Sequence, residues 1–355
     1  MDIQELLSLT VKNKASDLHL LVGIPPNIRV DGVLYPLQNY SQVSPEMIEQ
    51  MIFSILKPTQ KALLVANKEL DFSFGIGGGA YGNAGRFRAN VYYQRGYLSG
   101  AFRYLEPRIR TIEELRLPKI CHQFSALKQG FVLVTGPTGH GKSTTLAAII
   151  NEINQSKPVH VLTIEDPIEY VYPQGKSIIS QREMGQDSHS WSFALRSALR
   201  EDPDVVLIGE MRDPETISSA ITIAETGHLV FSTLHTNSAS QTIDRIIDSF
   251  PSTQQSQVRI QLASTLKGII SQRLLPQING GRIPATEILI GNNAVSTNIR
   301  EGKTHLIDSI IETSQEAGMI SLESSLSALV MSGAISLETA KSYAIHPDDL
   351  LRMVV

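Results

Sequence analysis

Cysteine is nearly absent from this chain: Cys121 is the one cysteine in 355 residues. A lone thiol can neither close an internal disulfide nor fill a four-cysteine zinc site, so neither device is available to the fold. No run of residues reaches the ~20 consecutive apolar positions that span a bilayer. The start, Met1-Asp2-Ile3-Gln4-Glu5, has no basic region leading into an apolar run, which argues against a secretory signal. Charge of one sign is missing as well. Lys and Arg number 31 against 35 Asp and Glu, a net charge of −4. With no global basic field, direct nucleic-acid binding is disfavoured as the main task. Tandem repeats and low-complexity tracts are also lacking. What is present is ample core material, 42% hydrophobic against 19% charged residues, in a length that fits two domains. The expectation is a soluble, cytoplasmic protein.

The first 105 residues predict a small α+β unit. Ile3, Leu6, Leu7 and Val11 fall near helical spacing. Leu18-His19-Leu20 and Ile28-Arg29-Val30 predict strands, with Asp31-Gly32 as a hairpin turn. Residues 44–66 predict one helix, capped by Ser44 with Pro45 at its first position. Three alternating segments follow, and the stretch 75–85, with Gly77-Gly78-Gly79, predicts a hairpin loop rather than a phosphate loop, because no helix start follows it. Residues 106–118, with Pro107 and Pro118, predict a linker. Strands then alternate with helices over 119–284, the rhythm of a largely parallel sheet covered on both faces. From 285 to 355 the pattern predicts a helical subdomain.

The sharpest signal is Gly136-Pro137-Thr138-Gly139-His140-Gly141-Lys142-Ser143, a full match to G-x-x-x-x-G-K-[ST] between a predicted strand and a predicted helix. Backbone N–H groups of such a loop, here including Thr144 at the helix start, turn inward around phosphate. Lys142 adds a point charge, Ser143 offers a hydroxyl to Mg²⁺, and the helix N-terminus adds partial positive charge. ATP and Mg²⁺ are therefore the expected ligands. His140 takes a position where the backbone does the cradling, so its side chain is expected to point outward.

Apolar strands deliver carboxylates to the same sheet edge, where α/β folds place their ligands. Glu165 closes one such strand and Glu210 follows another, Val205-Val206-Leu207-Ile208. Glu210 fits the role of holding the Mg²⁺ shell or orienting water, with Glu165 sharing it and Asp166 and Glu169 weaker candidates. His235 leaves a further strand at this edge, placed to sense the γ-phosphate or bridge to a neighbour. His228 and His235 stand seven positions apart, about 23 Å along a strand, so they cannot share a metal. Arg86, Arg88, Arg103, Arg108 and Arg110 default to a solvated face. The functional alternative is that they reach a nucleotide on an adjoining subunit.

Four ordered segments carry a resemblance. Gly136–Ser143, Thr163–Glu169, Leu199-Arg200-Glu201-Asp202-Pro203-Asp204 with Gly209-Glu210-Met211-Arg212-Asp213, and the stretch 224–235 resemble the Walker A, Asp, Walker B and His boxes of secretion-superfamily ATPases. Ala15-Ser16-Asp17-Leu18-His19-Leu20 resembles the start of the PilT-type retraction ATPases of type IV pili. The resemblance implies an α/β fold: a RecA-like P-loop ATPase domain preceded by a PAS-like α+β domain. It also implies a homo-hexamer that hydrolyses ATP to drive pilus retraction. Such a ring works at the inner face of the cytoplasmic membrane, peripheral to it, through an inner-membrane platform protein. Lys142 then holds phosphate, Ser143 holds Mg²⁺, Glu210 with Glu165 prepares water, and Arg86, Arg103 and Arg110 are possible fingers. Assembly and secretion motors look longer and carry a four-cysteine insert, which favours the retraction branch here. Retraction motors also carry an Ala-Ile-Arg-Asn-Leu-Ile-Arg-Glu segment, of which Ala294-Val295-Ser296-Thr297-Asn298-Ile299-Arg300-Glu301 keeps only the frame. That departure keeps a PilU-like accessory role open.

Overall fold

A computed structural model describes residues 1–30, 32–77, 85–105 and 108–354. The chain forms two compact units, Met1–Arg108 with Pro167–Val171, and Ile109–Asp166 with Tyr172–Val355.

The first unit contains α1 (Ile3–Lys12), β1 (Asp17–Leu20), β2 (Asn27–Val30), β3 (Val33–Pro36), α2 (Pro45–Ser54), α3 (Pro58–Asn67), β4 (Glu69–Ile76), β5 (Gly85–Gln94) and β6 (Tyr97–Leu105). Its antiparallel sheet has the order β3-β2-β1-β6-β5-β4. Alternation along the strands sends Leu18, Phe87 and Phe102 into the core with Leu6, Leu7, Ile48 and Ile52 from the helices. Arg29, Asp17, Arg103 and Arg88 stand opposite one another across the other face.

The helix expected over 44–66 is two helices. Pro58 has no N–H to give and holds Lys57 extended (φ −66°, ψ 156°), so α2 ends and α3 begins anew with proline at its start. Ser44 caps α2 as expected, accepting from the Met47 N–H at 3.2 Å. The predicted Asp31-Gly32 turn falls partly outside the described residues, which include Gly32 at φ 85° but not Asp31. The predicted 75–85 loop has its middle, 78–84, outside them too, between strands β4 and β5 that pair in antiparallel register.

The second unit runs α4 (Ile120–Ala126), β7 (Gly130–Thr135), α5 (Lys142–Ser156), β8 (His160–Glu165), β9 (Ile178–Glu183), α6 (Trp191–Ala198), β10 (Val205–Ile208), α7 (Pro214–Glu225), β11 (Leu229–Leu234), α8 (Ala239–Asp248), α9 (Ser252–Thr265), β12 (Leu266–Pro276), β13 (Arg282–Ile290), α10 (Asn293–Arg300), α11 (Ile307–Thr313), α12 (Leu322–Met331), α13 (Leu337–Tyr343) and α14 (Pro347–Val354). The sheet order is β13-β12-β7-β11-β10-β8-β9, parallel except for β13. Alternate residues of the fully buried β7 serve two cores. Phe131 and Leu133 join residues of α6 to α9, while Val132 and Val134 join α4 and α5.

Two expectations are corrected here, and one strand appears that the sequence pattern does not signal. Residues 109–118 are part of this unit rather than a linker, because Ile112 and Leu117 are buried with Ile120 and Phe124. The helical pattern expected from 285 starts later, since β13 runs through to Ile290. The polar strand β9, Ile-Ile-Ser-Gln-Arg-Glu, lies at a sheet edge and offers no apolar run to signal itself. Cys121 is buried, which pushes its thiol up to about 12 and leaves it unreactive at neutral pH. Among the described residues, no helix is long and apolar enough to cross a membrane.

Candidate nucleotide site

Parallel neighbours β7, β11, β10 and β8 all end at one edge of the sheet, and each leads at that edge to residues expected to act: the phosphate loop after β7, His235 after β11, Glu210 after β10 and Glu165 at the end of β8. Beyond β7 the chain turns through Gly136, Gly139 and Gly141, at φ of 137°, 81° and 82°, into α5. Two of these glycines are required by their surroundings. A Cβ on Gly136 would stand 2.3 Å from the Gln272 carbonyl oxygen, and Gly141 takes the left-handed conformation as the residue capping α5. The 15-residue α5 aims its N-terminal amides and partial positive charge at the loop. Lys142 is buried at 8% exposure and donates from Nζ to the Gly136 and Pro137 carbonyls at 2.9 and 3.1 Å. Ser143, the next residue, is exposed.

The neighbouring strands bring in the other groups. His235 follows β11 directly, with Nδ1 3.4 Å from Lys142 Nζ and 3.4 Å from the Thr138 hydroxyl. Its Nε2 lies 3.5 Å from Glu210 Oε2, and the other Glu210 oxygen pairs with Arg212. Lys142, Thr138, His235 and Glu210 thus form one connected set. Glu165 ends the adjacent strand. Its carboxylate accepts from the Thr163 hydroxyl at 2.7 Å and from Gln181 Nε2, on β9, at 3.4 Å. Gly209 passes close to it, with an N–H on the Ile164 carbonyl at 2.8 Å and room for no larger residue without pressing on the Glu165 backbone. The arrangement offers a buried cation and helix N-terminus for phosphate, with carboxylates and an imidazole at the same edge.

The family model described as type II/IV secretion system protein matches residues 113–333. A Pseudomonas aeruginosa protein named type IV pilus retractation ATPase PilT is 46% identical over 98% of this chain and 100% of its own length. The chain belongs to the type II/IV secretion system protein family. A second Pseudomonas aeruginosa member of the family, named type IV pilus ATPase PilU, is 37% identical over 100% of this chain and 91% of its own length. The crystal structure of the pilus retraction motor PilT with bound ADP superimposes with a TM-score of 0.92 at 46% identity, covering 99% of both chains. The second unit of this family member accordingly has the RecA-like P-loop ATPase fold, and a smaller α+β domain precedes it.

Within this secretion-family chain, two of the expected arginines are engaged in the first unit. Arg103 donates from Nε to Asp17 at 3.0 Å, and Arg86 donates to the Ile168 carbonyl at 3.1 Å and to the Ser73 hydroxyl, all inside the first unit. Arg110 is exposed on the segment before α4.

The outward His140 expected from the motif is corrected. Its ring turns onto β12, where Nδ1 accepts from the Leu274 N–H at 3.0 Å. The reason lies in the register: β12 pairs with β7 only as far as Ser271 opposite Thr135, so farther along β12 has no backbone partner on that side. Burial holds the His140 imidazole below its usual pKa, aided by Arg273, Lys142 and Arg282, so it stays neutral and able to accept.

Four consecutive residues of β12 form the back wall of the site, and no motif announced them. The Ser271 and Thr135 hydroxyls lie 2.9 Å apart. Gln272 donates to the His140 carbonyl at 2.7 Å and accepts from Thr145 at 2.8 Å. Arg273 reaches the Asn237 carbonyl at 3.0 Å, and Leu274 holds His140. Their partners lie far away in sequence, so only the charged and amide side chains inside an apolar strand hinted at a task.

Proposed function

We propose that this chain is an ATP-hydrolysing motor that drives type IV pilus retraction. The observation that carries the reading is the connected set Lys142–His235–Glu210 beside the phosphate loop, in a chain 46% identical to a pilus retraction ATPase over nearly its full length. Lys142 and the loop amides bind the β- and γ-phosphates. Glu210, with Glu165, orients the attacking water, and His235 links that carboxylate to the phosphate end of the site. Mg²⁺ fits the donors present: the exposed Ser143 hydroxyl and the Glu210 and Glu165 carboxylates are hard oxygen ligands. The described residues contain no cluster of three or more His, Cys, Asp or Glu that would hold a metal without the nucleotide. When bound, Mg²⁺ neutralises developing phosphate charge.

The working form in this reading is a homo-hexameric ring at the inner face of the cytoplasmic membrane, acting through an inner-membrane platform protein. Arg103, with a side chain 69% exposed, and Arg110 are the candidates to reach an adjoining subunit's nucleotide, while Arg86 serves its own unit. A Lys142→Ala strain tests the reading. Excess surface pili with lost twitching supports retraction, and unchanged pilus number and motility overturns it.

A second reading, an accessory retraction ATPase, rests on α10. The segment keeps its buried frame, Val295 and Ile299, but presents Ser296, Thr297 and Asn298 where retraction motors carry Arg, Asn and Leu. Loss of twitching from deletion of this gene alone argues for the main motor. Twitching restored by a second retraction ATPase in the same cell argues for the accessory.

A further inference from the structure

The geometry points to Arg273 and Glu287 as positioning residues that fix the β11–α8 loop and thereby place His235. The inference rests on the reading that His235 works at the nucleotide.

His235 needs such support. Its side chain is 51% exposed, and its three polar contacts run from 3.4 to 3.5 Å, so no tight packing or short hydrogen bond holds the ring. Its position follows from the backbone of 235–238. That backbone is gripped on both sides of Ser238, the residue that caps α8. Arg273 Nη2 donates to the Asn237 carbonyl at 3.0 Å, and Glu287 Oε1 accepts from the Ala239 N–H at 2.6 Å. The Thr236 and Thr242 hydroxyls, 2.7 Å apart, add a third tie.

The clamp comes from a single hairpin. Register pairs Ser271 with Glu287 and Arg273 with Ala285, so the two charged side chains project from the same face, one step apart diagonally. Each is only 7% exposed. Burying two charges is costly, and a pair kept for stability alone would best be spent on each other. Here each charge is directed at a backbone group of the same loop instead. Arg273 Nη1 is even left buried without a hydrogen-bond partner, a cost that a merely structural pair would avoid. The carboxylate also sits against the first amide of α8, where the helix dipole favours negative charge.

A double-mutant cycle on the purified full-length chain tests the proposal, with ATP turnover and ADP affinity as readouts. In the native background, Arg273→Gln is expected to lower kcat on the order of tenfold, the scale of a small misplacement of a reacting group. ADP affinity should stay within about twofold, since the phosphate loop is untouched. In a His235→Ala background the same substitution should change kcat little, because its effect passes through the imidazole. Arg273→Lys, which keeps the cation and a donor, should recover part of the rate. If Arg273→Gln does not fold, Glu287→Leu, which keeps the bulk but removes the acceptor for the Ala239 N–H, runs the same cycle with the same reading. Equal fold losses in both backgrounds overturn the proposal while leaving the motor intact. A native chain with no ATP turnover overturns the motor and the proposal together.

Discussion

His235 stands between Glu210 and the phosphate loop, its Nε2 3.5 Å from the Glu210 carboxylate and its Nδ1 3.4 Å from Lys142 Nζ. An ammonium can only donate, so Nδ1 is the accepting nitrogen and Nε2 carries the hydrogen that faces Glu210. The imidazole therefore orients one carboxylate oxygen while Arg212 occupies the other. Glu210→Gln should keep ADP affinity within a few-fold and lower kcat by roughly 10²-fold or more, the scale of a lost general base. His235→Ala should fall in the same direction by a smaller factor. Steady-state turnover with nucleotide titration checks both, and retained turnover in Glu210→Gln would remove Glu210 from the chemistry.

Gly136 tolerates no side chain. Alanine there would meet the Gln272 carbonyl oxygen at 2.3 Å in a backbone conformation, φ 137°, that L residues avoid. Gly136→Ala should cost about 1–3 kcal/mol of stability and weaken ADP binding, because the loop must move away from β12. Thermal unfolding and ADP titration of the variant measure the two effects.

Glu287 makes stability depend on pH. Burial pushes its carboxyl up to about 7, with Asp308 and Glu323 adding to the rise, and the Ala239 N–H and Arg273 opposing it. A raised acid is held protonated by the fold after the unfolded chain has released its proton. Between the ordinary value of 4.5 and about 7 the native state binds more protons, so this group's contribution to stability falls as pH rises. Glu287→Gln removes the titration. Denaturant midpoints of native and variant chains should therefore diverge in the variant's favour from pH 4.5 towards 7 and run parallel above.

Asp17 shows the opposite sign. Burial alone would raise its carboxyl, but the Ser16 hydroxyl and the Arg103 guanidinium outweigh that and hold it below the usual value of 3.8. Its stabilisation is present above that value and is lost as pH falls through the lowered one. Asp17→Ala should cost about 1–3 kcal/mol at neutral pH, since it leaves Arg29 and Arg103 without their shared anion. Faster amide exchange in β1 and β6 is the expected readout.

What the sequence made legible follows from the range of each signal. Ser44, the Gly136–Ser143 loop and the strand ends at Glu165, Glu210 and His235 are local patterns, and each predicts its own structure. Pro58 was equally local, and its break in the 44–66 helix could have been read from the residue itself. Gln272 could not. Its partner His140 is 132 residues away, and nothing near either residue records the other. The α10 segment falls between these cases: the spacing of Val295 and Ile299 shows the buried stripe, whereas the role of its polar face depends on what meets it.

The wall strand also limits what the chain can become. Along β12, Gln272 faces the phosphate loop and its neighbour Arg273 faces the β11–α8 loop, and the far end of the strand, Leu275, packs with Leu322 and Leu326 of α12. Side chains alternate with a period of two, so inserting or deleting one residue here would exchange these partners all at once. This strand is a fixed ruler, open to substitution one position at a time but closed to any change in length.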